Sequence, residues 1–324
     1  MNQMQLKLKS SPFKRWALAM GYILVVAVFL AGCGAADNSA KAEGEDKLKI
    51  TATIGMIKDV VANIGGEHVE VTGLMGEGVD PHLFKATQGD VKKLDQADLI
   101  FYNGLHLESK LTDILDNMSK DKTTVAVAEF VDESKLLDGD PSAGTQHDPH
   151  VWFDLEHWIT VTEVIRDTLV EEDAEHADAY KENAEAYLAK LQELHTYTKE
   201  QIATIPKERR VLVTAHDAFG YFGQAYDIEV TGLQGISTAS EAGVKDVTDL
   251  VDYLVENEIK AVFVESSISD KSINAVIEGA KAKGHDIQMG GELFSDAMGS
   301  EGTEEGTYLG MVRHNVDTIV SALK

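Results

Sequence analysis

A single cysteine, Cys33, stands in the 324 residues, so no disulfide can form within the chain. Basic residues are scarce as well: 29 Lys and Arg face 55 Asp and Glu, a formal charge of -26. Nucleic-acid binding needs clustered Lys and Arg, so that class is excluded. An acidic surface suits a soluble protein outside the cytoplasm and weakly favours cations near it. No confident membrane span is present, because the most apolar stretch, Trp16 to Leu30, falls short of the ~20 residues a helix needs to cross a bilayer. There is also no His-Glu-x-x-His pair to supply the general base of a zinc hydrolase.

Around Trp16 to Leu30 the pattern is that of a processed leader. Lys7, Lys9, Lys14 and Arg15 precede the apolar run without an acidic residue, and Leu30-Ala31-Gly32-Cys33 closes it. Small residues before a cysteine resemble the lipobox of bacterial lipoproteins. The expectation is a signal peptide over 1–32 and lipidation of Cys33, with two or more acyl chains needed for a stable anchor. Residues 33–46 are small, polar and charged and read as a flexible tether. The folded part then starts near Lys47, and its remaining length exceeds what one core usually holds, so two lobes are expected.

From there short apolar runs alternate with helical patterns. Strands are predicted at Leu48–Ile54, Val69–Leu74, Leu99–Tyr102 and Thr124–Ala128, with helices at Ile57–Ile64, after Thr87 and over Leu107–Met118. The second half repeats the style, with strands at Val211–Thr214, Ile228–Gly232, Ala261–Val264 and Asp286–Met289. Helices are predicted at Ala218–Tyr226, Val244–Glu256, Lys271–Lys283 and Thr307–Leu323. Alternation of this kind implies α/β architecture with parallel sheets. Between the halves, Glu175–Ile205 lacks Gly and Pro and is rich in helix formers. Tyr180, Ala184, Tyr187, Leu191 and Leu194 recur at three- and four-residue steps, predicting one long, stiff helix. The organisation expected is an N-terminal metal-binding lobe at 47–174, a linking helix at 175–205 and a C-terminal metal-binding lobe at 206–324.

The chemistry lies in scattered residues. Asp80-Pro81-His82 recurs as Asp148-Pro149-His150, His216 follows an apolar strand, and Asp296 lies near the end of the chain. Each falls after a predicted strand, where open α/β sheets bind ligands, and two come from each half. The pattern predicts one metal ion gripped in the cleft between lobes by His82, His150, His216 and Asp296. His147, three residues from His150, is the nearest rival. Glu265, at the end of an apolar strand, reads equally as a support for a ligand histidine and as a buried structural acid.

Several segments carry a family resemblance: Asp80-Pro81-His82, Asn103-Gly104-Leu105-His106-Leu107-Glu108, Asp148 to Asp154, Val213 to Phe222, Val262 to Ser267, and Gly291 to Asp296. In this order they resemble the zinc/manganese solute-binding lipoproteins of ABC transporters (the cluster A-I metal-binding family). The resemblance implies two Rossmann-like lobes joined by one long rigid helix, a single metal in the cleft, and ligands at His82, His150, His216 and Asp296. It also implies a monomer, lipid-anchored on the extracytoplasmic face of a bacterial membrane, that delivers Zn²⁺ or Mn²⁺ to an ABC permease and is not an enzyme. The His-rich loop of zinc-dedicated members is missing, since Asp132–Gln146 contains no histidine. Members that prefer manganese often carry Glu where this chain has His216.

Three imidazoles and one carboxylate favour Zn²⁺ over the more oxygen-seeking Mn²⁺. With a free imidazole pKa of ~6.5, affinity is expected to fall steeply below pH ~6. Two other classes fit less well. A metallohydrolase normally leaves a coordination position open for water. An adhesin with a structural metal would not lose its ion reversibly with the fold intact.

Overall fold

The computed structural model describes residues 47–141 and 144–324. The expected leader, Cys33 and the tether lie outside the described residues. Lys47–Lys324 forms one compact unit.

Its first half is built on β1 (Leu48–Ala52), β2 (Val69–Gly73), β3 (Leu99–Tyr102) and β4 (Thr124–Ala126), all parallel, in the order β2-β1-β3-β4. The connections run through α1 (Gly55–Gly65), α2 (Gln88–Gln96) and α3 (Thr112–Met118). Thr87 and Asp90 close a capping box at the start of α2, with each side chain accepting from the other's backbone N–H. The strand order reverses direction between β1 and β3, so a crevice opens beyond their carboxyl ends.

The second half holds the parallel pairs β5 (Val211–His216) with β6 (Glu229–Gln234), and β7 (Ala261–Glu265) with β8 (Gln288–Leu293). β5 packs beside β7, giving the same spatial order as in the first half. The helices here are α6 (Gly220–Tyr226), α7 (Val244–Glu256), α8 (Lys271–Ala282) and α9 (Tyr308–Leu323).

Two helices join the halves, α4 (Leu155–Glu172) and α5 (Ala177–Ala203). The length of α5 corresponds to ~40 Å of rise. Its predicted stripe of Tyr180, Ala184, Tyr187, Leu191 and Leu194 is fully buried. That stripe packs on α1 and α4 on one side and on α9 on the other. A single apolar cluster therefore runs from Ile50 and Phe101 in the first sheet, through Leu191 and Ile202, to Tyr308 and Ile319. A smaller cluster centred on Val213, Leu254, Val262 and Val276 lies within the second half alone.

Two departures from expectation shape the site. Helix α3 starts at Thr112, not at Leu107: Leu105 and His106 take positive φ (50° and 72°) after Gly104. The chain continues to Leu111 in turns, with the Leu107 N–H donating to the Gly104 carbonyl (3.1 Å) and the Leu111 N–H to the Glu108 carbonyl (2.8 Å). The buried Glu108 holds this tight loop by accepting from the backbone N–H groups of Asn103 (2.8 Å) and Gly104 (3.1 Å) and from the Thr53 hydroxyl (2.6 Å). Strand β8 runs on to Leu293 although it contains Gly290 and Gly291. A Cβ on Gly290 would come within 2.6 Å of the Phe263 ring, and the register slips between Val262 and Phe263. Gly290 lets Phe263 pack against the neighbouring strand, Gly291 (φ 139°) leaves room for Thr318, and β8 ends three residues before Asp296.

Candidate metal centre

His82, His150, His216 and Asp296 come together, each offering one ligand atom within 4.8 Å of the others. His82 lies on the loop after β2, His150 on the loop that precedes α4, His216 ends β5, and Asp296 follows β8. All four are buried, His150 and His216 completely, and His82 is the most exposed at 3%. His147 is not in the cluster.

Asp296 sits at the centre of the group. Its oxygens lie 3.5 Å from His82 Nε2 and 3.4 Å from both His150 Nε2 and His216 Nε2. His82 Nε2 and His150 Nε2 face each other at 3.2 Å. Separations of 3.4–3.5 Å are longer than good N–H···O bonds. Both Asp296 oxygens and His216 Nε2 are accordingly buried without a hydrogen-bond partner. Buried polar atoms are rarely left so unless something else satisfies them. Three imidazole nitrogens and a carboxylate converging on one point form the donor set that a tetrahedral Zn²⁺ takes.

The outer nitrogens of two rings are fixed from behind. His150 Nδ1 lies 2.7 Å from Asp148 Oδ1, which also accepts from the His150 backbone N–H at 2.9 Å. His216 Nδ1 lies 2.5 Å from Glu265 Oε2, and the second Glu265 oxygen accepts from the His216 backbone N–H at 2.8 Å. Such partners set the tautomer that turns Nε2 inward and raise its basicity. Glu265 is thus in contact with His216. Asp148 has the same relation to His150, which sequence reasoning missed. The available signal was the Asp-Pro-His triplet itself, since an Asp side chain readily bonds the backbone two residues on.

These carboxylates govern protonation before any metal arrives. Burial disfavours a charged His150, but Asp148 and then Asp296 outweigh it and raise the ring to about 9. Burial likewise opposes a charged His216, and Glu265 and Asp296 hold it well above the usual histidine range. His82 goes the other way, to about 3, because burial outweighs the attraction of Asp296. Burial would raise Asp296, yet His216 and His150 hold it well below the ordinary carboxylate range.

A metal must therefore displace protons from His150 and His216 at neutral pH. Affinity should rise with pH through the neutral range to at least about 9, the His150 value, and not level off near 6.5 as free imidazoles would. Titration calorimetry at pH 7 in buffers of different ionisation enthalpy should detect release of about two protons per zinc. Release of none would contradict this protonation scheme.

Comparison with known proteins agrees in both fold and length. Residues 50–322 match the family ZnuA, described as "Zinc-uptake complex component A periplasmic". The chain is 52% identical over 305 residues to the "Manganese-binding lipoprotein MntA" of Bacillus subtilis, covering 94% of this chain and 98% of that one. It is 46% identical over 294 residues to the "Zinc-binding protein TroA" of Treponema pallidum, covering 91% and 94% respectively. The solved structure of the periplasmic zinc-binding protein TroA from Treponema pallidum superposes with a TM-score of 0.83 at 47% identity, covering 86% of this chain and 99% of that chain.

Proposed function

The chain belongs to the ZnuA family of metal-uptake proteins, and from that premise we propose that it captures a divalent transition metal outside the cytoplasm and hands it to an ABC permease for import. The observation that carries this reading is the buried cluster of three imidazoles and one carboxylate, in which both Asp296 oxygens and His216 Nε2 lack hydrogen-bond partners. His82, His150, His216 and Asp296 are the ligands, with Glu265 and Asp148 fixing two of the histidines from behind. Residues 47–174 and 206–324 are the two metal-binding lobes, and 175–205 is the link between them.

The ion is cargo and not a catalytic group. Relatives of this chain are named as binding and transport proteins. Four protein donors also fill the shell that a zinc hydrolase keeps partly open for water. Among the described residues no helix is long and apolar enough to cross a membrane. Attachment on the extracytoplasmic face rests on lipidation of Cys33 after removal of residues 1–32, and the protein acts as a monomer.

Relatives named for zinc and for manganese both align over nearly the whole chain. The donor set decides between the two ions. Three nitrogen donors favour zinc, which also stands above manganese in the general affinity order. In a competitive titration of the isolated protein, zinc should displace equimolar manganese. His216→Glu, which exchanges a nitrogen donor for an oxygen donor, should move the zinc-to-manganese affinity ratio toward manganese by about tenfold or more. An unchanged ratio would count against His216 as a ligand, and manganese displacing equimolar zinc from the native protein would overturn the assignment of preference.

A further inference from the structure

The two Asp-Pro-His triplets are identical in sequence but wired differently. In the second, one Asp148 oxygen accepts from both the backbone N–H and the ring nitrogen of His150, so the aspartate orients its own histidine. In the first, Asp80 Oδ1 accepts from the His82 backbone N–H at 2.9 Å. Its other oxygen turns away from His82 and accepts a 2.6 Å hydrogen bond from the hydroxyl of Thr238, 158 residues later, on the loop that follows β6. Thr238 is itself buried, at 6% exposure. Among the described residues no carboxylate stands at His82 Nδ1, whereas Asp148 and Glu265 occupy that position for the other two histidines.

The remaining ligands are tied firmly across the molecule. The Tyr221 hydroxyl donates to the Asp148 carbonyl at 2.8 Å, Tyr308 donates to the Trp152 carbonyl at 2.6 Å, and Trp152 Nε1 donates to the Ser295 carbonyl at 3.1 Å. These buried bonds lock the segments carrying His150 and Asp296 to each other and to α6 and α9. The loop carrying His82 reaches the second half through Thr238–Asp80 and through one bond at the surface, Ser300 to Glu77 (2.6 Å).

We propose that the Thr238–Asp80 hydrogen bond is the latch of the metal site, and that the ion leaves on the His82 side when this bond breaks. Thr238 is a positioning residue acting on His82 through Asp80. The proposal rests on the reading of His82 as a ligand. It adds the direction of opening and the contact that resists it.

The test is zinc dissociation from the loaded mature protein into an excess of a chromophoric chelator, followed by stopped flow, with stoichiometry measured first. Thr238→Val, which keeps the shape and loses the donor, should release zinc about tenfold faster, as expected for a lost hydrogen bond to a charged group. It should still bind one zinc with an X-ray absorption spectrum like that of the native protein. Thr238→Ser should restore the native rate. Asp80→Ala should be at least as fast as Thr238→Val, and combining the two should add nothing further, because both remove the same bond. A Thr238→Val rate within twofold of native, with one zinc bound, would overturn the latch and leave the ligand set standing. Additive rates in the double variant would also overturn it, since the two residues would then act independently. A native protein that binds no zinc would overturn both the latch and the capture function.

Discussion

Asp296→Ala should weaken zinc binding by about a thousandfold. Removing one member of a buried charged group costs roughly 3–5 kcal/mol, and each 1.4 kcal/mol is about a factor of ten in affinity. Asp296 is the only carboxylate in the cluster, and its oxygens lie within 3.5 Å of all three inward imidazole nitrogens. Its loss has two opposed consequences. The metal loses an anionic donor, and three neutral imidazoles alone must balance a divalent charge in a site closed to water. At the same time His150 and His216 lose part of the attraction that holds their protons, so the proton competes less well. The first effect is larger, because Glu265 and Asp148 still hold protons on the two rings after Asp296 is gone. Competition against a chelator of known affinity at pH 7 measures the result. A variant whose affinity stays within tenfold of native would remove Asp296 from the ligand set.

Glu265→Ala should lower zinc affinity by about a hundredfold, at the upper end for a residue that supports a metal ligand, although Glu265 touches no metal. Glu265 supplies two acceptors to one residue, and its loss leaves both the backbone N–H and the Nδ1 of His216 unpaired in a fully buried place. Unsatisfied groups of this kind cost ~1–3 kcal/mol each. The metal-free protein should therefore melt at a lower temperature as well. Glu265→Gln keeps an oxygen for the backbone N–H and gives up the charge, so it should fall between, at about tenfold weaker binding. Titration calorimetry with a competing chelator and a thermal melt of each metal-free variant separate the two effects. Native affinity in Glu265→Ala would mean that His216 needs no support from this carboxylate.

Much of this arrangement is legible in the sequence because its signals are local. Alternating apolar runs mark the strands, and the stripe from Tyr180 to Leu194 marks the long helix, whose observed span Ala177–Ala203 lies inside the predicted one. What escaped reading was set by tertiary packing. Leu155–Glu172 is an 18-residue helix, yet Thr160, Val161, Thr162, Val164, Ile165, Thr168 and Val170 are β-branched and dilute the helical signal. Gly290 and Gly291 look like a strand end, but the Phe263 ring that requires Gly290 lies 27 residues earlier, and Thr318, which crowds Gly291, lies 27 residues later. The contacts behind the ligands were readable only in part. Asp148 lies two residues from its histidine, whereas Thr238 and Asp80 meet from opposite halves of the chain. No periodicity in the sequence points from one to the other.

The most direct test of the account is a crystal of the mature protein loaded with one equivalent of zinc, with diffraction recorded on both sides of the zinc absorption edge. A single anomalous peak should lie among His82 Nε2, His150 Nε2, His216 Nε2 and a carboxylate oxygen of Asp296, each at ~2.0–2.2 Å. A zinc peak elsewhere in the molecule, with these four side chains left uncoordinated, would contradict it.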